Sequence, residues 1–414
     1  MDRYDQTKLL LSGIVIGAGA VLAVQTISSV RRQDSTKKTQ ILKEDIRNGL
    51  EDCIGNTPLI RIKHLSEATG CEILGKAEFL EPGGSVKDRV ALKLIKTAEE
   101  ANLLTPHSGD KVYEGTVGST GVSLAFICRA RGYLAHICMP NDQSTEKSSL
   151  LLKLGAMVTL VPPAPIVDKG QFVNRARALA AAQTASETEP GRGFFADQFE
   201  NPANWKAHYE GTGPEIYQQC GGRVDAFVAG AGTGGTLSGV GKYLKERLES
   251  VRVVLADPQG SGLYNRIKYG VMFDIKEREG TRRRPQVDTI VEGIGINRVT
   301  ANFEAGRPYV DDAIRVTDDE ALAMARLLVE KEGLFVGSSS AVNCVAAVRT
   351  AMKLGPGHRV VTILCDSGTR HLSKFWKKAG EVAGDEEMTL DGVLGCGEVG
   401  KGVSLEGEKS GYGV

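Results

Sequence analysis

The sequence carries no excess of either charge: 51 Lys+Arg stand against 51 Asp+Glu, a formal net charge of +0 over 414 residues. A chain so balanced lacks the electrostatic footprint of a nucleic-acid binder, and no nucleic-acid partner is expected. It also lacks metal-ligand spacing. The 8 cysteines (Cys53, Cys71, Cys128, Cys138, Cys220, Cys344, Cys365, Cys396) contain no CxxC pair, so no metal is expected. Most stand in apolar runs such as Ala135-His-Ile-Cys138 and read as reduced core residues of an intracellular protein. No glycine-rich loop ends in Gly-Lys-Ser/Thr, and none makes a good dinucleotide fingerprint, which removes the two commonest nucleotide-binding signatures.

What the chain does have first is an uncharged, mostly apolar run from Leu9 to Val30, against the about 20 residues a membrane-spanning helix needs. A secretory signal wants a clearer cleavage site, and an organellar presequence wants a polar face and no acids; Asp2 and Asp5 are present. The run is therefore expected to be an uncleaved membrane anchor. Basic residues are denser after it (Arg31, Arg32, Lys37, Lys38) than before it (Arg3, Lys8), which puts the following domain in the cytosol. The mitochondrial outer membrane is the expected site, with the endoplasmic reticulum as the alternative. A polar linker fills 33–40, and from 381 to 414 the acidic, glycine-rich composition predicts a tail without structure.

Between them, strands predicted at 72–78, 111–114, 134–139, 157–161, 226–229, 252–256 and 359–365 alternate with helices at 120–130, 147–154, 174–185, 237–248 and 319–331. This alternation indicates an α/β fold with a mainly parallel sheet. The charged stretch 277–284 reads as a solvated loop.

The centre of the chain is Glu81-Pro-Gly-Gly-Ser-Val-Lys-Asp-Arg-Val90. Pro82, Gly83 and Gly84 make a tight turn, Ser85 and Asp88 form a capping-box pattern, and Val90, Leu92, Leu94 and Ile95 continue at helical spacing. Lys87 then sits in a first turn, where the helix dipole disfavours a cation and suits the amine to bonding an aldehyde. Gly230-Ala-Gly-Thr-Gly-Gly-Thr-Leu237 joins a strand to a helix and reads as a phosphate cradle. Glu114-Gly-Thr-Val-Gly-Ser-Thr-Gly121 is a second such junction, able to hold a carboxylate through backbone N–H groups with Thr116, Ser119 and Thr120. Glu332-Gly-Leu-Phe-Val-Gly-Ser-Ser-Ser-Ala341 and Asp366-Ser-Gly-Thr-Arg370 set further serines at predicted strand ends.

Taken with Gly55-Asn-Thr-Pro-Leu59, Gly84-Ser-Val-Lys-Asp-Arg89, Ser144-Thr-Glu-Lys147, Gln198-Phe-Glu-Asn-Pro-Ala-Asn204, Thr212-Gly-Pro-Glu-Ile216, Gly232-Thr-Gly-Gly-Thr236 and Glu292-Gly-Ile-Gly-Ile296, the chain resembles the cysteine synthase and cystathionine β-synthase family of pyridoxal-phosphate enzymes over about 41–378. The resemblance implies the tryptophan-synthase-β-like, fold type II architecture. Two three-layer α/β/α domains are expected after one N-terminal transmembrane helix: a large cofactor domain from 41–92 and 200–380, and a smaller substrate-side domain from 93–199. It implies pyridoxal 5'-phosphate bound covalently to Lys87, which also moves the α-proton. Ser119, Gly232, Thr233, Gly234, Gly235, Thr236 and Ser339 would hold the cofactor, Ser339 facing its pyridine nitrogen. Thr116, Gly118, Thr120 and Gln198 would grip the substrate carboxylate. The implied reaction takes O-acetylserine and sulfide to cysteine and acetate through an aminoacrylate, in a homodimer. The family's substrate loop reads Thr-Ser-Gly-Asn-Thr-Gly; here Val117 replaces the serine and Ser119 the asparagine. Condensation of serine with homocysteine is the alternative within the family, and a cofactor-binding, membrane-tethered scaffold is the alternative outside catalysis.

Overall fold

The computed structural model describes residues 46–143, 145–273, 289–381 and 388–396. The chain divides at Asn48, and everything below concerns the body from Gly49 on. The expected anchor from Leu9 to Val30, the linker 33–40 and the charged loop 277–284 lie outside the described residues. Among the described residues no helix is long and apolar enough to cross a membrane.

Among the described residues ten strands build two sheets. In chain order they are β1 (Leu59–Arg61), β2 (Glu72–Ala77), β3 (Lys111–Gly115), β4 (Leu134–Pro140), β5 (Met157–Val161), β6 (Gly193–Phe195), β7 (Ala226–Gly230), β8 (Arg252–Pro258), β9 (Asp312–Val316) and β10 (Arg359–Leu364). The larger sheet runs β1-β2-β10-β7-β8-β9 and the smaller β5-β4-β3-β6. All pairings are parallel except that of β1 with β2. Strands buried on both faces read as continuous apolar runs, as in Ala226-Phe-Val-Ala229, whose residues are at most 1% exposed.

Five helices matter for the site: α1 (Lys87–Glu100), α2 (Ser119–Ala130), α3 (Gly235–Lys245), α4 (Asp318–Glu332) and α5 (Ser338–Leu354). The amphipathic face of α1 buries Val90, Ala91, Leu94 and Ile95 in the core of the smaller sheet, against Leu124, Ile127 and Ile137. Helix α5 is buried nearly all round and fills the core beneath the larger sheet.

Strand order decides where a site can form. In the larger sheet β7, β8 and β9 step outward one way, and β10 then returns to the other side of β7. In the smaller sheet β3, β4 and β5 step outward, and β6 returns beside β3. Open parallel sheets bind ligands at such reversals, outside the carboxyl ends of the strands.

Three local expectations need correction. Ser85 and Asp88 form no capping box: the helix cap is Val86, with no side-chain cap bond. Asp88 instead accepts from the Gly83 N–H and from the Ser123 hydroxyl, so tertiary partners win over the local pattern. Ser338, Ser339 and Ser340 open helix α5 and do not lie at a strand end. The tail expected to be without structure from 381 contains a helix, Leu390–Gly395, capped by Thr389 with Val393 fully buried in the α4–α5 core.

Candidate active site

The turn before α1 is closed by the Gly84 N–H donating to the Glu81 carbonyl at 2.7 Å. Gly83 is obligatory there, because a Cβ would stand 2.2 Å from Phe126 and 2.4 Å from the Asp88 carboxylate. Lys87 begins α1 and is half-buried. Loss of solvation holds its ammonium below the usual lysine range, against the pull of Cys365, Asp366 and Glu78. Burial is the leading cause, where the sequence suggested the helix dipole.

Beneath this turn lies a buried ion cluster. Arg89 donates to Glu78 at 2.7 and 2.9 Å and to Glu215 at 2.6 and 2.8 Å. Lys76, fully buried, donates to Glu215 at 2.6 Å and to the Thr57 carbonyl at 2.6 Å. Glu81 accepts from the Gly55 N–H at 3.0 Å, and burial beside Glu78 pushes it up to about 8. Arg89 Nε also stands 2.9 Å from Glu81 Oε1, so Arg89 and Lys76 together face Glu78, Glu81 and Glu215. Three of the quoted motifs, those holding Gly55 and Thr57, Arg89, and Glu215, meet in this cluster. They set the position of α1 and hence of Lys87.

At the reversal of the larger sheet, β7 delivers the chain to 231–236 and the start of α3. Glycine is required by crowding: a Cβ on Gly232 would lie 2.3 Å from the Gly293 carbonyl oxygen, and one on Gly235 would lie 1.9 Å from Asn204 Oδ1. Gly234 adopts φ +88. The Thr233 hydroxyl accepts from Asn204 Nδ2 at 3.0 Å. The Thr236 hydroxyl meets His208 Nε2 at 3.2 Å, and the other ring nitrogen meets Thr212 at 2.9 Å. Burial holds His208 well below the usual histidine range, so it is neutral. The loop is thus a cup of backbone N–H groups at a helix N-terminus, buttressed by hydroxyls and an uncharged imidazole.

The reversal of the smaller sheet places 116–120 beside the segment after β6. Thr120 donates to Gln198 Oε1 at 2.6 Å, both side chains being buried. Gln198 is held from behind by its N–H to Glu114 at 3.2 Å, and by its carbonyl, which accepts from Asn204 Nδ2 at 2.7 Å. Asn204 therefore couples Gln198 to Thr233, joining the two loops. Burial pushes Glu114 up to about 8. Thr116 accepts from the Gly118 N–H at 3.3 Å, and the space beyond the Cβ position of Gly118 is open to 4 Å.

Beyond β10, Cys365 stands near Lys87 and within hydrogen-bonding reach of Ser339; burial pushes its thiol up to about 11. Ser338 accepts from the Glu292 N–H at 3.0 Å and Ser340 from the Cys365 N–H at 2.8 Å. Among the described residues Ser339 is the one of the three serines with no backbone N–H on its hydroxyl, and that hydroxyl meets the Cys365 thiol, which in turn feels the Lys87 charge.

Of the site residues expected from sequence, Thr116 and Gly118 follow β3, Gln198 follows β6 and Gly232 to Gly234 follow β7, while Lys87, Ser119 with Thr120, Gly235 with Thr236, and Ser339 lie in the first turns of α1, α2, α3 and α5. Asn204, His208, Cys365 and Arg370 also belong to the constellation and were not singled out. Asn204 and Arg370 stood at the ends of quoted stretches without a role of their own, whereas nothing local marks His208 or Cys365.

The pyridoxal-phosphate dependent enzyme family matches residues 50–366. A protein of Emericella nidulans named cysteine synthase 2 is 71% identical over 363 residues, 85% of each chain. A Saccharomyces cerevisiae protein named as a candidate mitochondrial cysteine synthase is 55% identical over 349 residues, 84% of this chain and 88% of the other. The crystal structure of O-ureido-L-serine synthase superposes with a TM-score of 0.70 at 31% identity, over 84% of this chain and 99% of that one. With loops that converge at two sheet reversals and relatives of this closeness, the chain belongs to the pyridoxal-phosphate dependent enzymes, among the cysteine synthases.

Proposed function

We propose that the protein makes L-cysteine and acetate from O-acetyl-L-serine and sulfide, using pyridoxal 5'-phosphate held at Lys87. The observation that carries this is the half-buried amine of Lys87, held below the usual lysine range, within one constellation with the 231–236 cup. The residues present fit the group. The cup has no room for a Cβ at Gly232 or Gly235 and offers N–H groups at the start of an 11-residue helix, as a phosphate requires. Ser339 supplies an uncharged hydroxyl for a ring nitrogen.

When bound, the cofactor supplies an electron sink for bonds at the α-carbon of an amino acid. The protein's own groups do the rest. Gly232 to Thr236 would hold the cofactor's phosphate, and Ser119 and Ser339 would hold its ring. Thr116, Gly118, Thr120 and Gln198 bind the amino-acid carboxylate, Thr120 through its backbone N–H because its hydroxyl proton is given to Gln198. Lys87 Nζ, whose charged form desolvation disfavours, takes the proton from the α-carbon and returns it after sulfide has joined the β-carbon. Acetate leaves as the carbon–oxygen bond at the β-carbon breaks. The names of the close relatives favour sulfide over homocysteine as the incoming nucleophile.

In this reading the run from Leu9 to Val30 tethers a homodimer to the mitochondrial outer membrane with the catalytic body in the cytosol, and the mitochondrial name of the S. cerevisiae relative supports the organelle. Fractionation of cells expressing the full chain, with alkaline extraction and protease protection, tests this; release into the soluble fraction contradicts it. For the activity, the full chain is mixed with O-acetylserine and sulfide, and cysteine is counted. Formation of cysteine that needs added or bound pyridoxal phosphate is expected, and its absence refutes the reading.

A further inference from the structure

Arg370 ends the short turn Gly368–Arg370 that follows β10. One guanidinium N–H, on Nη1, donates to the Ser119 hydroxyl oxygen at 3.1 Å; another, on Nη2, donates to the Gly83 carbonyl. The two acceptors belong to different parts of the site. Ser119 opens α2 behind the smaller sheet, and Gly83 lies in the turn before Lys87. The same turn is held from its other side by Asp88, which takes the Gly83 N–H and the Ser123 hydroxyl. The positive charge of Arg370 favours that carboxylate, against burial that pushes it up to about 6.

The consequence falls on Ser119. A hydroxyl has one proton to give and two lone pairs to receive with. A charged N–H on one lone pair polarises the O–H outward, which strengthens it as a donor. The neighbouring Thr120 hydroxyl is spent on Gln198, and Val117 has none to offer. Ser119 is half-buried, and its own O–H donates to no group among the described residues. A guanidinium suits this task because its rigid planar fork fixes the directions of its N–H groups toward two separate acceptors, whereas an ammonium's donors rotate about one nitrogen.

We propose that Arg370 is a positioning residue: it makes Ser119 a fixed, charge-assisted donor toward an anionic oxygen of the bound molecules, and it ties that donor to the Lys87 turn. This rests on reading 116–120 as the loop that faces cofactor and substrate. The anionic oxygen comes either from the substrate carboxylate or from the cofactor ring, and the two sources separate by experiment.

The test is a double-mutant cycle in the cofactor-loaded full chain with Arg370→Ala, Ser119→Ala and both together. Turnover of O-acetylserine with sulfide is read as kcat and KM, beside the pH profile of the cofactor's visible absorbance. Arg370→Ala is expected to lower kcat/KM about tenfold when Ser119 is present, and less than about twofold when Ser119 is already alanine. A change confined to KM identifies the carboxylate as the partner; a shifted pH profile, the same in both single variants, identifies the ring oxygen. Arg370→Gln, neutral but still a donor, is the second variant should the alanine chain not fold, with an expected coupling of about threefold. Equal losses in both Ser119 backgrounds overturn the role of Arg370 alone. A Ser119→Ala chain unchanged in KM, kcat and spectrum overturns the reading of the loop as well.

Discussion

Arg89 donates to both carboxylate oxygens of Glu215, at 2.6 and 2.8 Å, and so locks the start of the Lys87 helix onto the helix Gly213–Gln219. Both side chains sit in a cluster with Lys76 and Glu78, where each ion's solvation is replaced by partners. Arg89→Ala removes one cation and leaves Glu78, Glu81 and Glu215 without it. A loss of about 3–5 kcal/mol is expected on chemical denaturation. Arg89→Lys restores the charge but not the fork, and is expected to recover only part of the loss. A loss below about 1 kcal/mol for the alanine variant contradicts the cluster's role.

The acid side of the stability profile follows from Glu215. Burial alone would raise its pKa, but Arg89 and Lys76 outweigh burial and hold it at about 2. The folded state therefore binds its proton less readily than the unfolded chain. Its stabilisation is full above the ordinary carboxylate range and is lost as pH falls from about 4.5 toward about 2. In Glu215→Gln the denaturation midpoint is expected to lie lower at neutral pH and to change less across that window. An unchanged acid limb contradicts the assignment.

Glu114 acts with the opposite sign. Burial pushes it up to about 8, so the folded chain keeps a proton that the unfolded chain releases. Its contribution is full below about 4.5 and is lost as pH rises through about 8. Glu114→Gln keeps a neutral side chain of the same shape. Its thermal midpoint, measured against the parent, is expected to gain steadily between pH 5 and pH 8. A constant difference across that range contradicts a protonated Glu114.

Much of this was legible in the sequence, and the remainder was hidden for physical reasons. The glycine loop after β7 and the Lys87 turn announce themselves because close backbone approach demands glycine at fixed spacing. Helix α5 did not, because Ser338 to Leu354 is buried nearly all round and so carries no amphipathic stripe. Strand β6 has three residues, too few for any period to show. The Ser85–Asp88 spacing suggested a local cap, yet Asp88 found Gly83 and Ser123 instead. Arg370 closed the quoted stretch Asp366-Ser-Gly-Thr-Arg370, but its role was hidden because its partner Ser119 is 251 positions away.

The 231–236 cup gives a steric prediction. Gly232→Ala forces a Cβ to within 2.3 Å of the Gly293 carbonyl, a backbone atom that cannot swing aside. The expected result is cofactor affinity weakened at least about tenfold in a titration of the stripped protein, with cofactor-free stability lowered by about 1–3 kcal/mol. Gly118→Ala meets open space and is expected to keep the cofactor while raising KM for O-acetylserine.

The most direct measurement compares the parent with Lys87→Ala, both full-length and supplied with pyridoxal phosphate. The visible spectrum is followed as O-acetylserine and then sulfide are added, and the cysteine formed is counted. The parent is expected to show a visible cofactor band that shifts with O-acetylserine and returns with sulfide as cysteine appears. Lys87→Ala is expected to form no cysteine above background. Cysteine formed by Lys87→Ala at the parent's rate contradicts the assignment of Lys87 outright.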